Sequence, residues 1–101
     1  MLTHIIKIFN EAKHQTRGKQ ELLNRYQKII LSQLVRMTIG IKGNTLYKLN
    51  SLGEYEKELW DEPELIEHLK SIGYLRNVEG SDIIIVNISR YDECFEMAKE
   101  I

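Results

Sequence analysis

The segment from Lys19 to Met37 constrains the fold of this 101-residue chain more than any other. Its apolar residues recur at helical spacing, as Leu22, Leu23, Tyr26, Ile29, Ile30, Leu34 and Met37. So wide an apolar stripe must be buried against other elements, which predicts a central core helix. The chain holds one proline and six glycines, so long regular elements are expected elsewhere too. A chain of this length forms one domain, and we expect a single domain over residues 1–101.

The apolar spacing of Leu2, Ile5, Ile6 and Phe9 predicts a helix that runs to about Lys13. Residues 38–49 alternate and turn at Gly43-Asn44, which predicts either a hairpin or one strand, 45–49, after a loop.

Two further helices are expected in the acidic part of the chain. Residues 53–60 are predicted to form a short helix, which Leu52, Tyr55 and Leu59 would pack against the core. Residues 62–72 follow as a second helix, with Asp61 as its N-cap, Pro63 in its first turn and Gly73 after its end.

A second hairpin is predicted from residues 74–79 and 82–88, with its turn at Gly80-Ser81. Residues 83–86 are four consecutive apolar residues, Ile-Ile-Ile-Val, so we expect both faces of that strand to be covered. A closing helix begins at about Tyr91 and places Tyr91, Cys94 and Phe95 on one face.

Charge is divided unevenly between the two halves of the chain. Residues 1–50 contain nine Lys or Arg against two acidic residues, a net charge of +7. Residues 51–101 contain five Lys or Arg against thirteen acidic residues, a net charge of −8. Such asymmetry is typical of a polyanion-binding face or an interaction surface, although the two halves could also pair with each other inside the domain.

Within the predicted core helix, Arg25, Lys28, Ser32 and Arg36 fall within about 80° of one another at 100° per residue. They therefore form one narrow polar stripe, which is basic except for Glu21 beside it.

Several kinds of chemistry have no signature in the sequence. A single cysteine, Cys94, excludes an intrachain disulfide and a four-cysteine zinc site, and we interpret it as a buried apolar residue. The histidines His4, His14 and His68 lack metal-ligand spacing, and no glycine-rich phosphate loop occurs. We therefore expect neither an enzyme nor a bound cofactor or metal. No apolar run is long enough to span a membrane and no signal peptide is evident, so a cytoplasmic protein is expected.

From residue 19 onward the predicted order is helix, strand, short helix, helix, hairpin, helix. This order resembles the winged helix-turn-helix family over the segments 19–37, 45–49, 54–60, 62–72 and 74–88. In that family a two-stranded wing follows two helices joined by a tight turn, and the last strand of the wing pairs with the first strand. The resemblance implies an α+β fold, a winged helix-turn-helix with extra N- and C-terminal helices.

The resemblance also implies a function. Small proteins of this family resemble the DNA-binding accessory proteins of plasmids and phages, including conjugation proteins that mark a transfer origin and small transcription regulators. Such proteins bind double-stranded DNA, and they usually do so as homodimers. The apolar faces of the first and last helices are candidate dimer surfaces, unless they pack on their own domain.

One departure from the family redirects the expected DNA contacts. The helix that would enter the major groove carries Glu62, Glu64 and Glu67, which phosphates repel. Contact is therefore expected from a basic face and the β-wing. The candidate DNA-binding residues are Lys13, Arg17, Lys19, Arg25, Lys28, Arg36, Lys42, Asn44, Lys48, Arg76, Asn77 and Ser81.

An alternative function uses the acidic half of the chain. Seven carboxylates lie within fourteen residues: Glu54, Glu56, Glu58, Asp61, Glu62, Glu64 and Glu67. They are either a solvated face or a mimic of DNA charge that binds a basic protein, as in an inhibitor or an antitoxin-like protein. Tyr55 and Trp60 would then anchor the interface or, alternatively, fill the core.

Overall fold

The computed structural model describes residues 19–97 and 99, with side chains from residue 24 onward. The helix predicted over residues 2–13 and the candidates Lys13 and Arg17 lie outside the described residues, as does the side chain of Lys19. The described elements, in chain order, are α1 Lys19–Val35, β1 Ile39–Lys42, β2 Thr45–Leu49, β3 Tyr55–Asp61, α2 Pro63–Ser71, β4 Leu75–Asn77, β5 Ile83–Val86, a 3-10 turn Ile88–Arg90 and α3 Tyr91–Met97.

The five strands form one antiparallel sheet in the order β3-β2-β1-β5-β4. The expected β4–β5 hairpin is present, but β5 pairs with β1 and not with strand 45–49, which the winged-helix resemblance implied as its partner. Residues 39–49 form the hairpin rather than the single strand. Its turn has a positive φ of 64° at Gly43, a conformation that glycine adopts without steric cost. The protein is thus an α+β protein, as expected.

The prediction of a helix over residues 53–60 is wrong, because these residues form the edge strand β3. Leu52, Tyr55 and Leu59 have helical spacing, but β2 offers β3 a free row of backbone hydrogen-bonding groups. Bulges in the β2–β3 pairing place both Leu59 and Trp60 against the core, so the strand buries its apolar residues without strict alternation.

This change has two consequences for the expected fold. The expected helix-turn-helix unit consisted of helices over residues 53–60 and 62–72. Of these two segments only the second is helical, as α2, so the unit does not form. Asp61 belongs to β3 instead of capping α2, and the cap position is occupied by Glu62, whose side chain makes no capping hydrogen bond. Pro63 does occupy the first turn, as expected.

The core lies on one face of the sheet, where α1, α2 and α3 pack. The strands contribute alternate residues to it, including Ile39 and Ile41 of β1, Leu46 of β2 and Ile84 of β5, all of them buried. Every residue of α1 from 29 to 35 is buried, so its C-terminal half is enclosed on all sides. None of the helices within residues 19–97 is long and apolar enough to cross a membrane.

The opposite face of the sheet is only partly covered. We call it the open face; it carries Gly40, Lys42, Tyr47, Leu49, Tyr55, Ile83 and Ile85, which alternate with core residues along their strands. Ile83 and Ile85 are half-buried whereas Ile84 and Val86 are buried. The expectation that both faces of β5 are covered is therefore confirmed on the core side and met only in part on the open face.

Two helices end in the same hydrogen-bonding arrangement. After α1, the N–H groups of Met37 and Thr38 donate to the carbonyls of Leu34 and Gln33. After α2, the N–H of Gly73 donates to the carbonyl of Lys70, in the same way, and Tyr74 donates to Leu69. Both arrangements are Schellman motifs, which need a left-handed residue. Gly73 supplies it at α2 with a φ of 89°, whereas at α1 Met37 has a φ of 64° despite its side chain.

Candidate interaction surfaces

The basic stripe expected on α1 is divided by burial at its centre. Arg25 and Arg36 are exposed and Lys28 is half-buried, but Ser32 is only 1% exposed and donates to the Ile29 carbonyl at 2.9 Å. The neighbouring helix α3 explains part of this burial. Its Tyr91 hydroxyl donates to the Val35 carbonyl at 3.1 Å, and the Arg36 guanidinium lies 5.9 Å from the Phe95 ring centroid. The four stripe residues therefore do not form one continuous exposed surface.

The structure brings together five other candidates at one end of the sheet, where the turns β1–β2 and β4–β5 meet. The Gly43 N–H donates to the Asp82 carbonyl at 2.7 Å and holds the two turns side by side. The candidates at this end are Lys42, Asn44, Arg76, Asn77 and Ser81, and we call the group the hairpin tips. The Asn77 side-chain amide donates to the Ser81 carbonyl at 3.4 Å, so these two lie across the turn from each other.

The hairpin tips also carry acidic residues. Asp82 is exposed in the second turn, Glu79 is exposed beside it, and Asp61 accepts a hydrogen bond from the Thr45 hydroxyl next to the first turn. These carboxylates offset the charges of Lys42 and Arg76, so this end of the sheet is of mixed charge.

Lys48 lies in a different place. Its side chain is on the core side of β2, paired with Glu56 at 3.7 Å, and both side chains are about half exposed. An exposed pair of this kind contributes little to stability. Lys48 and Arg36 line one open cleft of about 660 Å³ together with the loop 50–53. The described candidates therefore fall into separate groups on α1, at the hairpin tips and at this cleft.

The acidic residues are continuous by comparison. Glu54 precedes the edge strand, and Glu56, Glu58 and Asp61 belong to it. Glu62 occupies the cap position of α2, and Glu64 and Glu67 belong to that helix. We call these seven residues the acidic ridge. All are exposed except Glu62, which is half-buried. Within residues 54–67 the single basic residue is Lys57, so this segment has a net charge of −6.

Trp60 belongs to the core rather than to the exposed ridge. Its indole N–H donates to the Tyr26 hydroxyl at 2.9 Å, and its ring packs against the core cluster. Burial raises the pKa of Tyr26 well above its ordinary value, and the nearby Glu62 carboxylate raises it further. Tyr55 lies instead on the open face, 39% exposed, with its ring centroid 5.2 Å from that of Tyr47.

Cys94 is confirmed as a buried apolar residue. It is 0% exposed, and burial raises the pKa of its thiol to about 11. A neutral and inaccessible thiol is a poor nucleophile. Within the described residues no group of three His, Cys, Asp or Glu side chains is placed to hold a metal ion.

A small polar cluster near the start of α3 was not predicted from the sequence. The Tyr74 hydroxyl donates to Glu93, Arg90 pairs with Glu93 at 3.2 Å, and the Arg90 guanidinium lies 4.8 Å from the Tyr74 ring centroid. The hydrogen bond from Tyr74, followed by the bond from Arg90, lowers the pKa of the Glu93 carboxyl. The three-residue spacing of Arg90 and Glu93 indicates an ion pair and could have been found in the sequence, whereas the contribution of Tyr74 depends on tertiary contact.

Fold and surfaces together define a small α+β protein with a five-stranded antiparallel sheet, helices on one face and an acidic sheet edge. The chain matches no protein-family model, and no curated protein or solved structure is significantly similar to it.

Proposed function

We propose that this protein is a small, non-enzymatic interaction protein that binds a basic surface of another protein through its acidic ridge. One observation carries the proposal: the ridge is the largest run of like charge in the described part of the chain, and six of its seven carboxylates are exposed. The described basic residues, in contrast, are divided among separate surfaces.

The position of the ridge favours recognition by a partner. β3 is the outermost strand, so a second molecule can approach its carboxylates from the side, with Glu58 on the open face and Glu56 on the opposite face beside Lys48. Along a strand each residue rises about 3.3 Å, so residues 54–61 present four carboxylates over roughly 25 Å. A concentration of charge on that scale steers association with a surface of opposite charge and favours basic partners over acidic ones. A DNA-mimicking inhibitor or an antitoxin-like protein would use such a concentration of charge.

The test compares two triple variants with the same change in net charge. The ridge variant is Glu56→Gln, Glu64→Gln and Glu67→Gln, and the control is Glu79→Gln, Asp92→Asn and Glu96→Gln, all exposed residues. Fluorescence anisotropy with a labelled deca-lysine peptide at low salt should show at least tenfold weaker binding for the ridge variant. The control should lose threefold or less. Equal losses would mean that only net charge matters and would overturn the proposal.

Capture from a host lysate after nuclease treatment extends the same comparison to natural partners. A basic protein that the original chain and the control variant retain, and that the ridge variant does not, is the expected result. If both triple variants retain the same proteins, the ridge is not the binding surface.

A second candidate function is binding of double-stranded DNA by a cytoplasmic accessory protein of a mobile element. The gathering of Lys42, Asn44, Arg76, Asn77 and Ser81 at the hairpin tips favours it, as does the β4–β5 hairpin on which the last three lie. Residues of this kind on a β-hairpin would contact DNA, and a protein that binds repeated sites would do so as a homodimer.

Mobility-shift assays with duplex DNA test this second candidate. Lys42→Glu with Asn44→Asp should abolish the shift at low salt, while Arg25→Glu with Lys28→Glu should reduce it less. The binding constant falls with salt, and each phosphate contact that is lost should make the slope of log K against log[salt] shallower by about 0.9. Absence of a shift with the original chain would exclude this function and leave the first proposal standing.

A further inference from the structure

The open face carries an apolar surface together with Lys42, whose ammonium nitrogen lies 5.8 Å from the Tyr55 ring centroid. Gly40, on the central strand β1, has no side chain there, and the Tyr55 ring lies over it. A Cβ atom at Gly40 would lie 2.7 Å from Tyr55 Cε1 and 3.1 Å from Leu49 Cδ2. Tyr47 packs edge-to-face against Tyr55, and Ile83 and Ile85 continue the apolar surface across β5. Aromatic and branched side chains on one face of a sheet suit packing against a second sheet.

Opposite charges stand at the two edges of this face. Strand register pairs Glu58 with Tyr47 and Tyr47 with Gly40, and on the other side it pairs Ile85 with Arg76. The pairing of Ile41 with Ile84 brings Gly40 and Ile85, one residue further along, level with each other. A single row therefore crosses all five strands, with exposed Glu58 at one end, apolar residues in the middle and exposed Arg76 at the other end.

We propose that the open face binds a second copy of this chain. A two-fold axis parallel to β1 and passing over Gly40 exchanges the two ends of the row. Arg76 then lies opposite the partner's Glu58 and Ile85 lies opposite the partner's Tyr47, and each of these contacts occurs twice. Lys42 faces the partner's Lys42 beside the axis, where each ammonium group lies 5.8 Å from the Tyr55 ring centroid of its own copy. This self-complementarity is what an isologous interface requires, and it identifies the occupant as another copy. The inference does not depend on the acidic ridge binding a basic protein.

The size of the face sets the expected strength of the dimer. Five strands about 4.8 Å apart and five residues of about 3.3 Å each give a footprint of roughly 400 Å² per partner. Stable interfaces bury about 800 Å² of accessible surface per partner, so this one is at the small end. Met37 and Ile88, 56% and 80% exposed, line the apolar cleft that continues the face and enlarge its apolar surface. A dimer that dissociates at low micromolar concentration is expected.

Charge exchange on the full chain tests the proposal by sedimentation equilibrium. The original chain should dimerise, and Glu58→Arg or Arg76→Glu alone should weaken the dimer at least tenfold, because each change creates two like-charge contacts. An equimolar mixture of the two variants should restore dimerisation. In the mixed dimer the two substituted side chains face each other with opposite charges, and the unchanged Arg76 of one copy faces the unchanged Glu58 of the other. Glu96→Arg, on α3 and outside the row, is the matched control and should dimerise like the original chain.

The opposing results are equally definite. The proposal is overturned by a chain that stays monomeric at millimolar concentration, by a dimer that neither reversal weakens, or by a mixture that fails to recover. A monomeric chain that dimerises only after Ile6→Asp would also overturn it, by showing that the apolar stripe of residues 2–9 occupies the face. Since the ridge variants do not alter Glu58 or Arg76, failure of this proposal is distinguishable from failure of the proposed function.

Discussion

The Tyr26 hydroxyl joins three elements, and its removal is the sharpest test of the packing. Tyr26 lies on α1 and is 1% exposed, it accepts the indole N–H of Trp60 from β3, and it interacts with Glu62 at the start of α2. The change Tyr26→Phe keeps the ring and removes the hydroxyl alone, so a loss of stability measures these polar contacts.

The expected loss of stability follows from the groups that lose a hydrogen-bonding partner when the Tyr26 hydroxyl is removed. A buried donor left without an acceptor costs about 1–3 kcal/mol, and a hydrogen bond to a charged group contributes about 1.5–3 kcal/mol. Trp60 and Glu62 are only half-buried, so water replaces part of the interaction with the Tyr26 hydroxyl that each of them loses. We therefore expect a loss of about 2 kcal/mol in the free energy of unfolding, which lowers the Tm of a domain of this size by roughly 10 °C.

The assay uses the single tryptophan of the chain, Trp60, whose fluorescence reports urea unfolding and the polarity around the indole. Tyr47→Phe, on the open face, is the control and should change stability by less than about 0.5 kcal/mol. A double-mutant cycle with Trp60→Phe, followed by circular dichroism, should give a coupling of about 1 kcal/mol. A loss below about 0.5 kcal/mol for Tyr26→Phe, or no coupling to Trp60, would refute the reasoning.

Two further predictions concern the end of α1 and the buried thiol. Met37→Gly should raise the free energy of unfolding by about 0.5–1 kcal/mol in urea melts, because glycine adopts the left-handed conformation without steric cost. The opposite change at the end of α2, Gly73→Met, should lower the free energy of unfolding. A destabilised Met37→Gly protein would contradict the argument. Burial raises the pKa of Cys94 from 9.0 to about 11, so the fold favours the neutral thiol, and that contribution is complete below about pH 9 and lost as the pH rises through 11. Urea midpoints measured from about pH 8 to about pH 11 should fall less steeply for Cys94→Ala than for the original chain, and parallel curves would rule out this role for the thiol.

Elements whose signal is local were predictable from the sequence. The helices from residues 19, 63 and 91 and the second hairpin follow from apolar spacing, proline and glycine positions within each segment. The α+β class followed in turn from the order of these elements.

The edge strand was not predictable in this way. Residues 55–61 combine helical spacing at Tyr55 and Leu59 with a strand pairing that exists only because β2 lies beside them. Sequence spacing could not distinguish a helix from a bulged strand, since bulges remove the strict alternation that identifies a strand.

The candidate surfaces show the same division. Sequence alone located the acidic ridge, because its carboxylates are close in the chain, and it identified Cys94 as a buried apolar residue. Only the tertiary structure divided the basic residues, by burying Ser32 and by placing Lys42 and Lys48 in different environments. It also gathered the hairpin tips and aligned Glu58 with Arg76 across five strands. Periodicity and charge density are properties of residues that are close together in the chain. The burial of a surface, strand pairing and the meeting of distant side chains depend instead on contacts between segments that are far apart in the chain.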